Sequence, residues 1–297
     1  MIEVLILCRE ETADVDALQQ ILGRVEGLTI RASDPTRIDV QMEPGRIIFR
    51  LDGKPFQPAL VLGWTSLHHG ERGRWLLWAF EMAGIKVLNG AQALAFGQNK
   101  FLASVRMSLT GIPHIPTWLV GSTRQLEMAS DALRFPLVIK PVHGAKGDGV
   151  RLVSDMVTLQ HACALYFSRN LPVYLQQQVM KPGRDIRVRV IDYVADIAFY
   201  RYVAEDGFLT NLSQGGEFRP VKIDEQMRDL AERSARVMQA PIAGVDICED
   251  ETGAYHVIEV NMTPAFTWPY EQSAQKVGQL ILGALDHFKS DMQTPLP

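Results

Sequence analysis

Three oxygen-bearing side chains toward the C-terminal end, Asp246, Glu259 and Asn261, stand where they can share a ligand. Asp246 lies in Gly244-Val245-Asp246-Ile247. The other two lie in Tyr255-His256-Val257-Ile258-Glu259-Val260-Asn261, and Asp250-Glu251-Thr252-Gly253 separates the two runs. Both runs are rich in β-branched residues and read as strands joined by a turn. Residues two apart on a strand point the same way, so Glu259 and Asn261 share a face that Asp246 can oppose from the neighbouring strand. Two carboxylates and an amide oxygen suit a hard cation, and Mg²⁺ keeps positions open for phosphate oxygens. The plain alternative is the solvated face of an edge hairpin.

A second constellation gives such a cation something to bridge. Phe135-Pro136-Leu137-Val138-Ile139-Lys140 is an apolar strand ending in a lysine, and Gly144-Ala145-Lys146-Gly147-Asp148-Gly149 follows it. Glycines at 144, 147 and 149 let backbone N–H groups wrap an anion without obstruction by Cβ, while Lys140 supplies a point charge. No Gly-Lys-Ser/Thr ends the loop and no G-x-G-x-x-G opens a helix, so it is neither a Walker A loop nor a dinucleotide fingerprint.

Several further pieces fall in a fixed order along the chain: Asn89-Gly90, Asn99-Lys100-Phe101, Leu175-Gln176-Gln177-Gln178-Val179, Asp185-Ile186-Arg187, and Asn211-Leu212 through Gly215-Gly216. With Lys140 and its loop, Gly244-Val245-Asp246, Glu259-Val260-Asn261 and Pro264, they resemble the ATP-grasp carboxylate-amine ligases. The branch is the RimK-like one of the ribosomal S6, lysine-biosynthesis and tetrahydromethanopterin amino-acid ligases. The resemblance covers the C-terminal two-thirds strongly and the first part weakly.

What the resemblance implies is an α/β (α+β) ATP-grasp fold of three lobes. These are an N-terminal pre-grasp domain at 1–96, a lid or central lobe at 97–176 and a C-terminal catalytic lobe at 177–297. It implies an amide made from a carboxylate and an amine at the expense of ATP, through an acyl phosphate. The amine is an α-amino acid such as glutamate, and the acceptor is a pterin-type coenzyme, a protein or a carrier. Such chemistry needs charge neutralisation and alignment rather than a covalent nucleophile. The resemblance places Lys100, Lys140, Gly144, Lys146, Gly147 and Asn211 at the phosphates, and Gln176, Gln177, Gln178 and Val179 at the adenine, with Asp185 among the nucleotide contacts. Asp246, Glu259 and Asn261 would carry one or two Mg²⁺ (or Mn²⁺) between the β- and γ-phosphates. Arg187 and Arg201, on paired strands of a hairpin, would stabilise the transferring phosphoryl group or the tetrahedral oxyanion; the plain alternative for Arg201 is a solvated hairpin face.

Two positions depart from the family. A glutamate is frequent where Gln177 stands, although a glutamine amide can still bond an adenine edge. A basic or histidine pair is replaced by Ser213-Gln214, which bears on whether the added amino acid is acidic. Two other classes of function compete: an ATP-binding regulatory protein without ligase activity, and an ATP-grasp phosphotransferase. The second would want a general base near an alcohol, and none is evident.

Composition sets the outer bounds. The chain has 297 residues, 47% of them apolar and 22% charged, and can bury more than one core. A net charge of −4 leaves no electrostatic footprint for nucleic acid, apart from a local basic patch at Lys181, Arg184, Arg187 and Arg189. No apolar run reaches membrane-spanning length. Cys8, Cys163 and Cys248 lack metal-ligand spacing and read as reduced core residues of a cytoplasmic protein. His114, His143, His161 and His256 read as structural. His68-His69-Gly70-Glu71 diverges on an extended segment and is a poor metal site. Trp64, Trp75, Trp78 and Trp268 read as core or interface residues, with Trp268 close enough to the cation strand to line an acceptor pocket.

The elements that must position these residues are legible in outline. The N-terminal domain alternates strand Val4–Cys8, helix Asp14–Val25, strands near Arg46–Leu51 and Ala59–Leu62, helix Trp75–Ala83 and strand Ile85–Leu88. A helix from Gln98 through Met107 is stopped by Thr110-Gly111-Ile112-Pro113. Strands Thr117–Val120, Leu137–Lys140 and Val150–Leu152 with helices Arg124–Ala132 and Met156–Phe167 make the second lobe. The third holds the hairpin Ile186–Val203, helix Glu225–Met238, the cation-bearing strands and a last helix. There Val277, Leu280, Ile281, Ala284, Leu285 and Phe288 recur at helical spacing, for core packing or for a subunit contact in a homo-oligomer, dimer or tetramer.

Overall fold

The computed structural model describes residues 2–8, 12–65, 70–129, 132–144, 149–179, 182–202, 217–269 and 271–293. The first strand, β1 (Ile2–Leu7), is buried on both sides from Val4 onward. The pleat sends Val4 and Ile6 into one core and Leu5 and Leu7 into another. The first core is closed by α1 (Ala13–Leu22) and the last helix, α8 (Gln272–Gln293); the second by α2 (Gly70–Met82). β2 (Leu28–Ser33), β6 (Leu60–Gly63) and β7 (Lys86–Leu88) join β1 in a parallel sheet of order β2-β1-β6-β7. Parallel strands need cover on both faces, which explains the uninterrupted apolar runs of β1 and β6. An antiparallel sheet of β3 (Ile38–Glu43), β4 (Arg46–Leu51) and β5 (Lys54–Pro55) interrupts the alternation.

The expected helix from Gln98 is α4 (Lys100–Leu109), which starts two residues later and follows a separate short helix, α3 (Ala91–Gly97). Asn99 is the reason: its side chain accepts from the N–H of Leu102 at 3.0 Å and caps a new helix. Gly97 ends α3 against the far end of the last strand. A Cβ there would lie 2.3 Å from Cγ of Met262, so a larger residue would have to displace that side chain.

β8 (Thr117–Val120), β9 (Leu137–Lys140), β10 (Arg151–Val153) and β11 (Val173–Gln177) form an antiparallel sheet of order β10-β9-β11-β8. One face packs on α5 (Thr123–Ala129) and α6 (Met156–Ser168) through Leu126, Leu137, Ile139, Leu159, Val173 and Leu175. This core draws only on residues from Trp118 to Leu175. Alternation turns Lys140, Tyr174 and Gln176 to the other face.

The third sheet, β14-β13-β12-β15-β16, is antiparallel throughout. Its strands are β12 (Arg184–Ile191), β13 (Val194–Tyr202), β14 (Phe218–Val221), β15 (Ile242–Glu249) and β16 (Tyr255–Asn261). Ile186, Val188, Val190, Val245 and Ile247 face α7 (Glu225–Val237), whose Met227, Leu230, Ala231 and Ala235 recur at helical spacing. That core is continuous with the one beneath β1 and α2. The final helix resolves into core packing: Val277, Ile281, Ala284 and Leu285 are buried with α1 and β1. Among the described residues no helix is long and apolar enough to cross a membrane.

Asn89, just past β7, joins the first and third sheets. It is fully buried, its Nδ2 donates to the carbonyls of Ile242 (2.6 Å) and Met262, and its Oδ1 accepts from the N–H of Ile242 at 3.1 Å. Its φ of 46° lies in the left-handed region, which asparagine tolerates better than most residues. Asn89→Ala should therefore lower stability by roughly 2–4 kcal/mol, from unsatisfied buried groups and the backbone conformation together. Asn89→Gly should recover about 1 kcal/mol of that, because only the conformational part is relieved. Urea unfolding of the two variants checks this; equal midpoints would contradict it.

Candidate active site

The face of the third sheet opposite α7 is built from side chains in register across its strands. One row runs Glu259, Asp246, Arg187, Phe199 and Pro220, from β16 to β14. The next runs Asp185, Arg201 and Phe218, and a third runs Asn261, Gly244, Arg189 and Ile197. Period-two alternation thus gathers residues from all five strands on one surface.

Asp246 is the hub. It is 2% exposed; Arg187 donates to it through Nε and through Nη2 (2.7 Å to Oδ2), and Nη2 of Arg201 lies 2.8 Å from Oδ2. Arg201 also donates in a fork to Asp185, at 2.7 and 2.9 Å. Burial would raise the Asp246 pKa, but Arg187 and then Arg201 outweigh it and hold the carboxyl below its ordinary value of 3.8. Burial likewise opposes the charge on Arg201, which Asp246 and Asp185 restore, leaving its pKa raised. Asp185-Arg201-Asp246-Arg187 is therefore a neutral chain of alternating charge with forked hydrogen bonds, the arrangement in which buried ions are tolerated. Gly244 leaves room for it: a Cβ there would come 3.1 Å from Cδ of Arg187 and 3.0 Å from Cβ of Pro264.

This geometry alters three expectations. Arg201 is buried at 6% exposure, so the solvated hairpin face is excluded for it. Asp185, expected among the nucleotide contacts, accepts from Arg201 through each of its oxygens. The basic patch is not formed by its described members, because Arg184 lies on the opposite face from Arg187 and Arg189 and pairs with Glu249 and the ring of Tyr200. Arg189 is 2% exposed and donates to the carbonyls of Phe266 (2.9 Å) and Trp268 and to Ser273 Oγ (2.8 Å). Burial brings its pKa down to about 10.

Beside this chain the electrostatics open. Among the described residues, Glu259 makes no hydrogen bond or ion pair. Asn261 Oδ1 accepts only from the N–H of Thr263, at 3.1 Å. Lys100, at the start of α4, donates through Nζ to the Gly144 carbonyl at 2.7 Å, and its N–H bonds the Val142 carbonyl at 3.1 Å. These bonds tie α4 to the loop after β9. Burial lowers the Lys100 pKa, and the charge of Glu259 partly restores it. Lys140 Nζ donates to Oε1 of buried Gln176 at 2.6 Å, and Tyr174 bonds Ser104 of α4 at 2.8 Å. Gln177 and Gln178 fix the strand's exit through N–H bonds to Pro116 and Pro136 carbonyls; Val179, expected with them at the adenine, is half-buried. Lys146, Gly147, Asn211, Ser213-Gln214 and His68-His69 lie outside the described residues.

The donor set fits a hard cation on chemical grounds. Glu259 has both oxygens open, Asn261 has a second lone pair, and the three guanidinium N–H groups on Asp246 leave it one further acceptor position.

Sequence reading missed Asp14. Its Oδ1 accepts from the N–H groups of Phe266 (3.0 Å) and Thr267 (2.8 Å) and from Thr267 Oγ1 (2.6 Å), anchoring the segment that carries Trp268. An aspartate two residues after the cap Thr12 looks like ordinary helix-start chemistry, so no local signal marks it. Three of the histidines have structural partners: His114 bonds Ser108 and Ile112, His143 bonds Gln98, and His256 pairs with Asp250. Trp75 and Trp78 are exposed on α2 rather than buried.

Residues 97–281 match the RimK-like ATP-grasp domain family. The chain is 31% identical over 192 residues to the alpha-aminoadipate–LysW ligase LysX of Saccharolobus solfataricus, covering 63% of this chain and 69% of that one. It is 32% identical over 193 residues to the ribosomal protein bS6–L-glutamate ligase of Escherichia fergusonii, covering 62% of each. Among solved structures, the ATP-grasp ligase PsnB complexed with minimal precursor superposes with a TM-score of 0.68 at 20% identity, over 97% of this chain and 99% of that one. D-alanyl-alanine synthetase A of Vibrio cholerae gives 0.73 at 16% identity, over 97% and 98%. At such identities these two likenesses speak for the fold alone.

Two outcomes follow from the contrast between Asp246 and Glu259. Asp246→Ala leaves Arg187 without its carboxylate and buried Arg201 with Asp185 alone, and should cost about 3 kcal/mol of stability, whereas Glu259→Gln should stay within about 0.5 kcal/mol; chemical denaturation reads both, and similar losses would show that Glu259 is structurally bound after all. By NMR of the lysine side chains, Lys100 should titrate below the exposed lysines. Glu259→Gln should move it lower still, since the carboxylate favours the ammonium form. An unchanged Lys100 midpoint would separate the pair.

Proposed function

Because the chain belongs to the RimK-like ATP-grasp family, whose relatives are carbon–nitrogen ligases, we propose that it joins an α-amino acid to a carboxylate acceptor through an acyl phosphate. The observation that carries the reading is the open carboxylate of Glu259, directly opposite Asp246 at the edge of the Asp246-Arg187-Arg201 chain, with half-buried Lys100 nearby. A carboxylate is a poor electrophile, so the site must neutralise phosphate charge and hold two reactants in line.

In this reading Glu259, Asn261 and the remaining acceptor position of Asp246 hold one or two Mg²⁺, which would supply charge neutralisation between the β- and γ-phosphates. Lys100 and Lys140 hold the phosphates, and Gly144 with Lys146 and Gly147 belongs to the loop over them; Asn211 is assigned to the same end. Gln176, Gln177, Gln178 and Val179 line the adenine side. Arg187 and Arg201 present their Nη1 groups to the transferring phosphoryl group and to the tetrahedral oxyanion. Asp185 acts as a positioning residue that fixes Arg201. Such donors are effective because their orientation is set before the reactants arrive. The lobes divide at 1–96, 97–176 and 177–297, a reading supported by the self-contained core between Trp118 and Leu175.

The three buried cysteines, none in a disulfide, support a reducing compartment such as the cytoplasm. Trp75, Trp78 and Met82, exposed at i, i+3 and i+7 on α2, support self-association.

The test is ADP release with Mg²⁺ and hydroxylamine as trap. A carboxylate substrate should yield a hydroxamate, and an amino acid should replace it with an amide. Glu259→Gln should lower kcat/KM by about 100-fold or more with its fold intact. ADP release with an alcohol and no hydroxamate from any carboxylate would instead identify a phosphotransferase, and nucleotide binding without turnover a regulatory protein.

A further inference from the structure

Next to the charged chain, the same sheet face carries an aromatic wall that the reaction chemistry does not require. Phe199 stands directly opposite Arg187 in the β12–β13 register, and Phe218 directly opposite Arg201 in the β13–β14 register. Each aromatic side chain is thus one strand spacing from an arginine, about 5 Å. Trp268 closes the group edge-on, with ring centroids 5.4 Å from Phe199 and 4.4 Å from Phe218. Phe199 is buried, but Trp268 is 39% and Phe218 36% exposed, so the wall presents open apolar surface.

The wall is held rigidly. Buried Arg189 donates to the Trp268 carbonyl, and Asp14 holds the preceding Phe266 and Thr267 by their N–H groups. A tryptophan kept partly in water by this much buried polar bonding is better suited to receive a ligand than to fill a core.

Charge on this face points the same way. A substrate with a second carboxylate, such as glutamate or aminoadipate, needs an uncommitted cation to receive it. Among the described residues of this face, Arg187 and Arg201 are each forked onto a carboxylate and Arg189 is bonded to carbonyls and a hydroxyl. The sequence between β13 and β14, residues 203–217, contains no lysine or arginine and three acids, Glu205, Asp206 and Glu217.

Resting on the ligase reading above, we infer that the substrate received beside Arg187 and Arg201 carries an apolar, preferably aromatic, side chain packed on Trp268 and Phe218, and no second carboxylate. An apolar wall discriminates by desolvation: an acidic side chain against it would lose its water without gaining a partner. Trp268 and Phe218 are then specificity-determining residues of this chain.

The experiment uses the whole protein and two sets of probes: leucine, phenylalanine and tryptophan against aspartate and glutamate, each as the free amino acid and as its N-acetyl derivative. Binding is measured calorimetrically with Mg²⁺ and a non-hydrolysable ATP analogue, and turnover by ADP release. The apolar set should be favoured by about 100-fold. Trp268→Ala should weaken the apolar set by about 10-fold or more through KM, with analogue affinity unchanged, and Trp268→Phe should restore most of it. Phe218→Ala, at an exposed position, provides an independent variant. Apolar binding without turnover would uphold this inference while removing the ligase reading. Preference for the acidic set, binding of neither set, or equal affinities in wild type and Trp268→Ala would overturn it.

Discussion

Placing Asp246 in a buried position between two arginines is the constraint around which the third sheet is arranged. A lone carboxylate there would face a desolvation cost of several kcal/mol, and each lone guanidinium likewise. Alternating them along Asp185-Arg201-Asp246-Arg187 makes every charge the solvation shell of its neighbour. The register of three strands is therefore fixed by electrostatics on one face and by apolar packing against α7 on the other. A one-residue slip of β12 would turn Arg187 into the core and Val188 toward the charges.

The same arrangement explains why the neighbouring groups are open. Asp246 is saturated on all but one side, which leaves Glu259 as the carboxylate with freedom to meet an incoming cation. Lys100 stands near it, tied to the loop after β9 rather than to any acid. Ser104 of α4 bonds Tyr174 of the second sheet, and the N–H of Val257 on β16 bonds the Pro113 carbonyl just ahead of β8, so the segment from α4 to β8 ties the second sheet to the third.

Much of this was legible in the sequence, and the failures have physical reasons. The pairing of Asp246 with Glu259 followed from strand periodicity, and the helices around the central sheet from apolar spacing. The burial of Arg201 was not legible, because a hairpin arginine reveals its environment only when the strand on either side is known. Arg189 and Asp14 were missed for a related reason. Their partners lie 77 or more residues away in sequence and are mostly backbone groups, which carry no residue-type signal. The start of α4 was available in Asn99, whose capping chemistry marks Lys100 rather than Gln98 as the first helical residue. β2 and β14 escaped because neither alternates cleanly: β2 is half-buried at most positions and β14 is mostly exposed.

The two-sided burial of β1 bears on how the polypeptide acquires its structure as it is made. Val4 and Ile6 complete their packing with Val277 and Ile281, which leave the ribosome only after nearly everything between them. The earlier strand therefore waits, with one apolar face covered only by α1, while the central sheet, whose core lies wholly between Trp118 and Leu175, can close on its own. Nascent chains of this topology spend most of their synthesis with a folded middle and an unfinished first sheet, and that incompletely covered face is where a holding chaperone would find its substrate.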